Sequence, residues 1–295
     1  MVDAMANSVT DFLIDGLSFK LNPGASYVTD RRSVSYFAAG ANEYQSGSGA
    51  RVIRFHLTGD GWLDPSTVRM VYTLVNTDTT ETKVLRVLSG PWSFFRRARC
   101  LVGSAIVDDV DYYNRTHEML HILTSRNNRD NDDIEGFGYR WDSDELWGNW
   151  KDRLSARGIG INGGSTNNSR TVSFKPLFGI LNSNSKYIPL AWCPIQMEFE
   201  IINDAKDAIA SPIANGAFDF TNTSTSWKIQ DVKIVCDVVT LDSVLQNSYA
   251  EIILSGRSLP INFSTYICQY QSLTSSDFAV NFSRAVSRLK SVFVT

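Results

Sequence analysis

The sequence predicts a mainly β protein, an antiparallel sandwich in which a few short helices lie within the connections. Three observations favour this fold class. Segments that alternate apolar and polar residues recur along the chain, and the stretches between them are rich in Gly, Ser and Asn. Strands do not alternate regularly with long amphipathic helices, which disfavours a doubly wound parallel sheet. Charged residues are only 20% of the 295 residues, which suits strands and loops better than a helical bundle.

Strands dominate the first part of the chain. Two strand candidates lie within 17–58, and the second of them covers 52–58. Further candidates follow at 68–75 and 100–107. The segment from Val52 to Thr58 has the period of two that is expected of a half-buried strand. Residues 68–75 are apolar on both sides, which indicates a central strand. Gly103 interrupts the last candidate.

Two helices are predicted next. Asp108, Asp109 and Asp111 place negative charge where the first turn of a helix favours it. Tyr113, His117, Leu120 and Thr124 then follow at helical spacing on one face; a second helix is predicted over 143–157.

The second part of the chain returns to strands. They are predicted at 172–181, 195–201 and 227–239, and the clearest alternation in the chain lies at 195–201. A third helix fits 243–254, with Asp242 as its N-cap and Gly256 as its stop signal. Extended chain is predicted again after Pro260.

Composition excludes several functional classes. The net charge is -3 and neither end carries a Lys/Arg-rich arm, which is unlike a protein that condenses nucleic acid. No apolar run approaches the roughly 20 residues that span a bilayer. The N-terminal residues carry acids where a signal peptide carries bases, so we expect no secretion. The four widely spaced cysteines are therefore predicted to be reduced thiols.

One short segment matches a catalytic pattern. Residues 117–121 read His-Glu-Met-Leu-His, and HExxH on a helix places two imidazoles on one face, as zinc requires, with the Glu available as general base. A zinc site needs a third ligand, and no histidine follows His121, so Glu135 or Glu145 would have to serve. The alternative is a structural helix whose His117 is half-buried beside Tyr113. We favour the structural helix, and predict no catalytic, cofactor or metal site, with His117, Glu118 and His121 as the alternative zinc set.

Two further groups could carry function. Arg96, Arg97 and Arg99 could face nucleic acid, but beside Asp108 and Asp109 they are expected to form local ion pairs. A second group of aromatic residues could form a sugar-binding platform, although at helical spacing such rings more often lie in a core or an interface; it comprises Trp141, Trp147 and Trp150.

Several segments, in order, resemble the major capsid proteins of double-jelly-roll DNA viruses, especially polinton-like and related viruses. They are DGLSFKLNPGASYVTDRR (15–32), GDGWLDPSTVRMVYTL (59–74), LSGPWSFFRR (88–97), DDVDYYNRTHEML (108–120), KYIPL (186–190), DVVTLDSVLQNSYAEIILSGRSLPINFSTYI (237–267) and SRAVSRLKSVFVT (283–295). The resemblance covers nearly the whole chain.

The resemblance implies a jelly-roll sandwich followed by the start of a second jelly roll. Residues 1–240 would form the first jelly roll, 241–258 the crossover helix and linker, and 259–295 the opening strands of the second, incomplete one. A full member would be longer by about 150 residues, on the usual size of a domain. Three explanations remain open: a fragment, pairing of 259–295 with another polypeptide, or a compact single-jelly-roll relative.

The function implied is structural. The chain would be a non-enzymatic capsid subunit that trimerises into pseudo-hexagonal capsomers of an icosahedral shell, with penton or minor capsid proteins as further partners. It would bind no specific nucleic acid sequence, need no cofactor, assemble inside the host cell and reside in the virion. The alternatives are a jelly-roll module that binds carbohydrate or a receptor, and an HExxH zinc metalloprotease.

Overall fold

A computed structural model of the chain describes residues 28–47, 51–80, 83–124, 159, 168–211, 213–214, 217–272, 279, 286 and 288–294. Thirteen strands occur in these ranges: β1 (Val28–Phe37), β2 (Glu43–Tyr44), β3 (Val52–Leu57), β4 (Trp62–Leu63), β5 (Arg69–Asn76), β6 (Phe95–Val102), β7 (Ala105–Asp111), β8 (Ser169–Phe174), β9 (Ile188–Pro189), β10 (Ile195–Ile201), β11 (Ile213–Ala214), β12 (Ala217–Phe218) and β13 (Trp227–Leu241). The same ranges contain the helices α1 (Tyr113–Ile122), α2 (Gly179–Asn182) and α3 (Ser243–Leu254). Short 3-10 helices occur at Pro65–Thr67, Pro91–Phe94 and Ala205–Ala208.

The eight strands of six residues or more form two antiparallel sheets. One sheet has the order β1-β13-β5-β8 and the other β3-β10-β6-β7. Counted along the chain, the first of these strands pairs with the eighth, the second with the seventh, the third with the sixth and the fourth with the fifth. Such nested pairing is one long antiparallel hairpin folded over on itself, which is the winding of a jelly roll. The predicted fold class, a mainly β antiparallel jelly-roll sandwich, is confirmed.

Apolar side chains from both sheets fill the space between them. The alternation predicted for β10 is observed, because its apolar residues are buried while Gln196 and Glu200 remain partly exposed. Fully buried side chains facing this core include Ile53, Phe55, Leu57, Met70, Tyr72, Leu74, Phe95, Phe174, Met197, Phe199 and Ile234. All four cysteines are free thiols: Cys100 and Cys236 are buried in this core, and the other two are half-buried.

The strand-to-helix boundary near residue 112 differs from the prediction. The acidic residues at 108–111 do not begin a helix; they lie in β7, and α1 begins only at Tyr113. The partner strand β6 decides this, because Arg97 donates to the carboxylate of Asp109 across the pair at 2.8 and 2.7 Å. Tyr112, with a left-handed φ of 47°, turns the chain from strand to helix.

The third helix begins and ends at the predicted residues. α3 spans Ser243–Leu254, and the Asp242 carboxylate accepts a hydrogen bond of 3.1 Å from the backbone N–H of Val244. Gly256 follows with a φ of +79°, the left-handed conformation that favours glycine after a helix. The prediction of a helix at 143–157 falls outside the described residues. Among the helices that are described, none has the length and apolar character that crossing a bilayer requires.

Strands were predicted for residues 259–295, but the described residues of that range carry neither helix nor strand. A strand requires a backbone ladder to a partner, and no pairing is found for residues 259–272. Ile261, Phe263 and Tyr266 nevertheless pack against the core of the sandwich, so this part of the chain lies against the two-sheet sandwich. The division into 1–240, 241–258 and 259–295 stays a prediction.

Candidate functional site

Trp92 is the centre of the contacts that α1 makes with the sandwich. Its indole is fully buried. The ring of His117 stacks on it, with the ring centroids 4.0 Å apart and the planes at 16°. The ring of His121 lies 4.9 Å from the same indole at 53°. Phe174 of β8 closes another side at 6.3 Å. Both histidines of the HExxH pattern therefore pack on a tryptophan.

Glu118, the glutamate of the HExxH pattern, contacts the edge of the Trp92 indole. The indole N–H of Trp92 donates to Glu118 Oε2 at 3.0 Å, and the hydroxyl of Ser89 donates to the same carboxylate. The imidazole of His117 also approaches the backbone, because its Nε2 lies 3.3 Å from the carbonyl oxygen of Lys175. In this arrangement the carboxylate fixes the orientation of a buried indole, which is a packing role.

The structure thus brings together the three residues that the sequence singled out as an alternative zinc set. Their shared neighbour is an indole, and indole is not a zinc ligand. Within the described ranges, no group of three or more His, Cys, Asp or Glu side chains is placed to hold a metal ion. Glu135 and Glu145, the sequence candidates for a third ligand, fall outside those ranges.

The arginines that follow Trp92 lie on the outer face of the four-stranded sheet and meet carboxylates there. Arg97 pairs with Asp109 at 2.7 Å, which confirms the local ion pair predicted for this group. Arg99 pairs with Glu198 of β10 at 2.6 Å, and Arg54 reaches the same carboxylate from β3 at 2.8 Å. These pairs neutralise the charges that a nucleic acid would otherwise contact.

Glu198 was not recognised in the sequence as a partner of the arginines. It lies on the polar side of β10, between two strands that each present an arginine at the same level of the ladder. The period-two alternation of β10 predicted that Glu198 faces outward, but strand order was needed to place it between Arg54 and Arg99. Asp108 also differs from expectation, because it points inward and has no arginine partner among the described residues.

A second contact cluster surrounds Trp62. The short strand β4 lies between β13 and β9, and Trp62 pairs with Val239 on one side and Pro189 on the other. The indole of Trp62 lies 5.8 Å from the ring of Trp192 and 5.1 Å from the ring of Tyr249 in α3. α3 is attached to the sandwich at this point.

The remaining surface of α3 is open to solvent. None of its side chains is buried, and the exposed fraction is 72% for Val244 and 86% for Leu254. Further large apolar side chains are exposed elsewhere on the described surface, including Phe37, Leu88, Ile106, Ile122 and Leu123. Such side chains are candidates for contacts with other molecules, since burying them removes apolar area from water.

The two clusters are built from the segments that carry the capsid resemblance. Residues 59–74, 186–190 and 237–267 meet around Trp62 through β4, β9, β13 and α3. Residues 88–97 and 108–120 meet around Trp92. Segments far apart in the sequence are therefore adjacent in the fold, and their characteristic residues contact one another.

A depression of about 290 Å³ lies where β5, β8 and β13 reach the same end of the sheet. Its lining is polar and includes Asn76, Thr77, Asn168, Lys228 and Gln230, with no aromatic ring. The amide of Asn76 is already used, because it donates to the carbonyl of Ile159 at 3.2 Å and accepts from the Ser224 hydroxyl at 2.8 Å. The tryptophans proposed as a sugar platform, at 141, 147 and 150, fall outside the described residues.

No protein-family model matches the chain, and no curated protein matches it in sequence. Several solved structures of viral proteins are similar to it. The VP54 protein of PBCV-1, in a structure fitted into a reconstruction of the Sputnik virophage, is 13% identical, with a TM-score of 0.43; the match covers 79% of this chain and 47% of that one. A chain of the Sputnik virophage structure is 10% identical, with a TM-score of 0.42, covering 77% and 52%. The mavirus major capsid protein is 10% identical, with a TM-score of 0.39, covering 78% and 50%. The chain spans about half the length of these structures.

Proposed function

We propose that this chain is a major capsid protein, the structural subunit of a viral shell, which trimerises into pseudo-hexagonal capsomers. The observation that carries the proposal is the meeting of the resembling segments inside a jelly roll. Five of them form the clusters around Trp62 and Trp92, so the residues that resemble a capsid protein are those that hold the sandwich and its helices together.

The surface chemistry supports a tiling subunit. Outward-facing arginines of the four-stranded sheet are paired with carboxylates on neighbouring strands, and the net charge is only -3. Many copies can therefore lie side by side with little mutual repulsion. Exposed apolar side chains at the strand ends and on α3 supply area that copies can remove from water when they associate. Closed rings of identical subunits need such patches to be complementary between neighbours.

The partners and location follow from this role. The subunit would contact further copies in the lattice, with penton or minor capsid proteins at special positions, and would reside in the virion after assembly inside the host cell. The enzyme alternative is disfavoured because Glu118, the general base of a zinc site, is engaged by the indole of Trp92 and the hydroxyl of Ser89. A structural subunit requires no catalytic centre.

The oligomeric state of the purified chain tests the proposal. Sedimentation velocity and light scattering over a wide concentration range should show trimers or larger assemblies, and electron microscopy should show capsomer-sized particles. A strictly monomeric chain at every concentration would contradict the capsid role and favour a binding module instead.

Two variants on α3 sharpen the test. Val244→Asp places a charge on an exposed apolar side chain and should weaken association if α3 contributes to contacts between copies. Asn247→Asp adds the same charge at an exposed polar position of the same helix and serves as the matched control. Both substitutions are at exposed positions, so the free energy of unfolding should change by less than about 0.5 kcal/mol in each. If the two variants associate equally, α3 is not part of the contact surface between copies. Trimer formation is then tested by the association of the unmodified chain alone.

A further inference from the structure

Residues 259–268, here called the strap, lie directly on α2. The backbone N–H of Ser264 donates a hydrogen bond of 2.8 Å to the hydroxyl of Ser183 at the end of that helix. The same hydroxyl donates to the carbonyl of Gly179 at 2.8 Å. A Cβ at position 179 would overlap the carbonyl oxygen of Ser264 and lie 2.7 Å from its carbonyl carbon. The strap can approach this closely only because residue 179 is glycine.

Apolar side chains hold the strap to the sandwich as well. Ile261, Phe263 and Tyr266 are partly buried against the main core. At the start of the strap, the Lys186 ammonium lies 3.5 Å from the carbonyl oxygen of Pro260. Each of these contacts is modest, and the strap has no strand partner among the described residues, so its docking is sensitive to small changes beneath it.

Asp108 lies against α2, and the Tyr266 side chain of the strap lies close enough to feel its charge. It points into the sandwich from β7, and only 2% of its surface is exposed. One carboxylate oxygen accepts a hydrogen bond of 3.4 Å from the backbone N–H of Ile180. The other oxygen is buried and has no hydrogen-bond partner in the described part of the chain. A buried carboxylate with one unpartnered oxygen and no cation is costly to ionise.

In the part of the chain that the structure describes, the groups that face Asp108 supply no compensating charge. Cys100 lies opposite Asp108 on β6, and Cys193 lies near Cys100. Tyr266 approaches Asp108 from the strap, and the α2 residues contribute only backbone N–H groups. Burial raises the pKa of Asp108 to about 6, although the nearby backbone N–H groups of Ile180 and Gly179 act in the opposite direction. Burial is the main cause, and the charge of Asp108 the next, that raises the pKa of Cys100 and of Tyr266. Both groups therefore remain neutral near pH 7.

We propose that Asp108 and the strap form a proton-controlled latch. Protonated Asp108 is compatible with a docked strap that seals α2 from water. Ionised Asp108 needs water at its unpartnered oxygen, and release of the strap with its Tyr266 side chain admits that water. Proton loss from Asp108 therefore favours the open strap.

The direction of the pH dependence follows from linkage. The pKa of Asp108 is raised in the docked state and returns toward its ordinary value of about 3.8 when the strap opens. The docked state therefore binds the proton more tightly, and docking is strongest below about pH 3.8. The opening equilibrium constant rises as the pH increases to about 6 and is constant above that. A difference of about two pH units limits the whole change to about 100-fold.

Hydrogen exchange of the full-length chain tests the latch. The protection of the Ser264 amide, whose N–H donates to the Ser183 hydroxyl, is followed in peptides from residues 259–268 by mass spectrometry between pH 4 and pH 7.5 and is corrected for the intrinsic pH dependence of exchange. We expect protection to fall by about 10-fold to 100-fold toward pH 6 and then to remain constant. Protection that does not change over this range in the unmodified chain would overturn the proposal, whatever the variants do.

Three variants assign the effect to Asp108. Asp108→Asn removes the ionisation and should keep the strap protected at every pH. Asp109→Asn, on the same strand but on the outer face, is the matched control and should retain the fall in protection. Gly179→Ala should expose the strap at every pH, because the new Cβ overlaps the strap backbone. A fall in protection that persists in Asp108→Asn would assign the titration to another group and overturn the latch.

Discussion

Replacing Glu118 with Gln tests whether α1 is a structural or a catalytic helix. Glu118 Oε2 accepts hydrogen bonds from the indole N–H of Trp92, at 3.0 Å, and from the hydroxyl of Ser89. Hydrogen bonds to a charged acceptor contribute about 1.5–3 kcal/mol each to stability, and neutral ones about 0.5–1.5 kcal/mol. Gln keeps the shape and one acceptor oxygen but removes the charge. We therefore expect the free energy of unfolding to fall by about 1 kcal/mol.

The measurement is urea unfolding followed by tryptophan fluorescence. Glu251→Gln on α3 is the matched control, because the Glu251 side chain is exposed and makes no hydrogen bond or ion pair within the described part of the chain. Its effect on the free energy of unfolding should be within about 0.5 kcal/mol. A double-mutant cycle with Trp92→Phe isolates the indole–carboxylate contact, and a coupling free energy of about 1 kcal/mol or more is expected.

A catalytic helix would behave differently under the same substitution. Glu118→Gln would then abolish peptidase activity and leave stability nearly unchanged. Purified chain free of chelators would also contain about one zinc per molecule, and His121→Ala would release it. Those results together would refute a packing role for Glu118 and restore the metalloprotease hypothesis.

Two further predictions concern the attachment of β4 and α3. Gly61→Ala should lower the free energy of unfolding by about 1–3 kcal/mol in urea titrations, because its Cβ would overlap a methyl group of Val238 and lie 3.1 Å from the carbonyl oxygen of Val239; an unchanged midpoint would show that β4 can move away from β13 at no cost. Asp242→Ala should cost about 1 kcal/mol by removing the N-cap of α3, whereas Asp242→Asn should retain most of the stability, and equal losses in both variants would contradict the capping role.

The elements that the sequence predicted well are those with local causes. β10 matches its predicted bounds, because a period of two is visible within seven residues and needs no knowledge of neighbouring strands. α3 matches for a similar reason, since its cap, its apolar stripe and its terminal glycine all lie within fifteen residues of one another. Local chemistry determined both.

The errors have causes that lie elsewhere in the chain. Acidic residues at 108–111 have the composition of a helix start, but the backbone ladder with β6 and the Arg97–Asp109 ion pair hold that stretch as a strand. α2 has only four residues, too few to show a helical period, and it begins within the segment 172–181 that was predicted as strand. The nested pairing of the eight strands is long-range by nature, so the jelly-roll winding came from the resemblance and not from periodicity.

The HExxH match shows why a spacing alone does not identify a site. Residues four apart on a helix lie on the same face, so any helix that packs two rings against one neighbour has the spacing that zinc also requires. The neighbour decides between the two uses. Here it is Trp92, whose face contacts both imidazoles and whose N–H reaches the intervening glutamate. The discriminating residue lies in the 3-10 helix Pro91–Phe94 and is separated from the motif by the strands β6 and β7. A search for partners of the helix, rather than for further histidines, is what separates a stacked pair from a metal site.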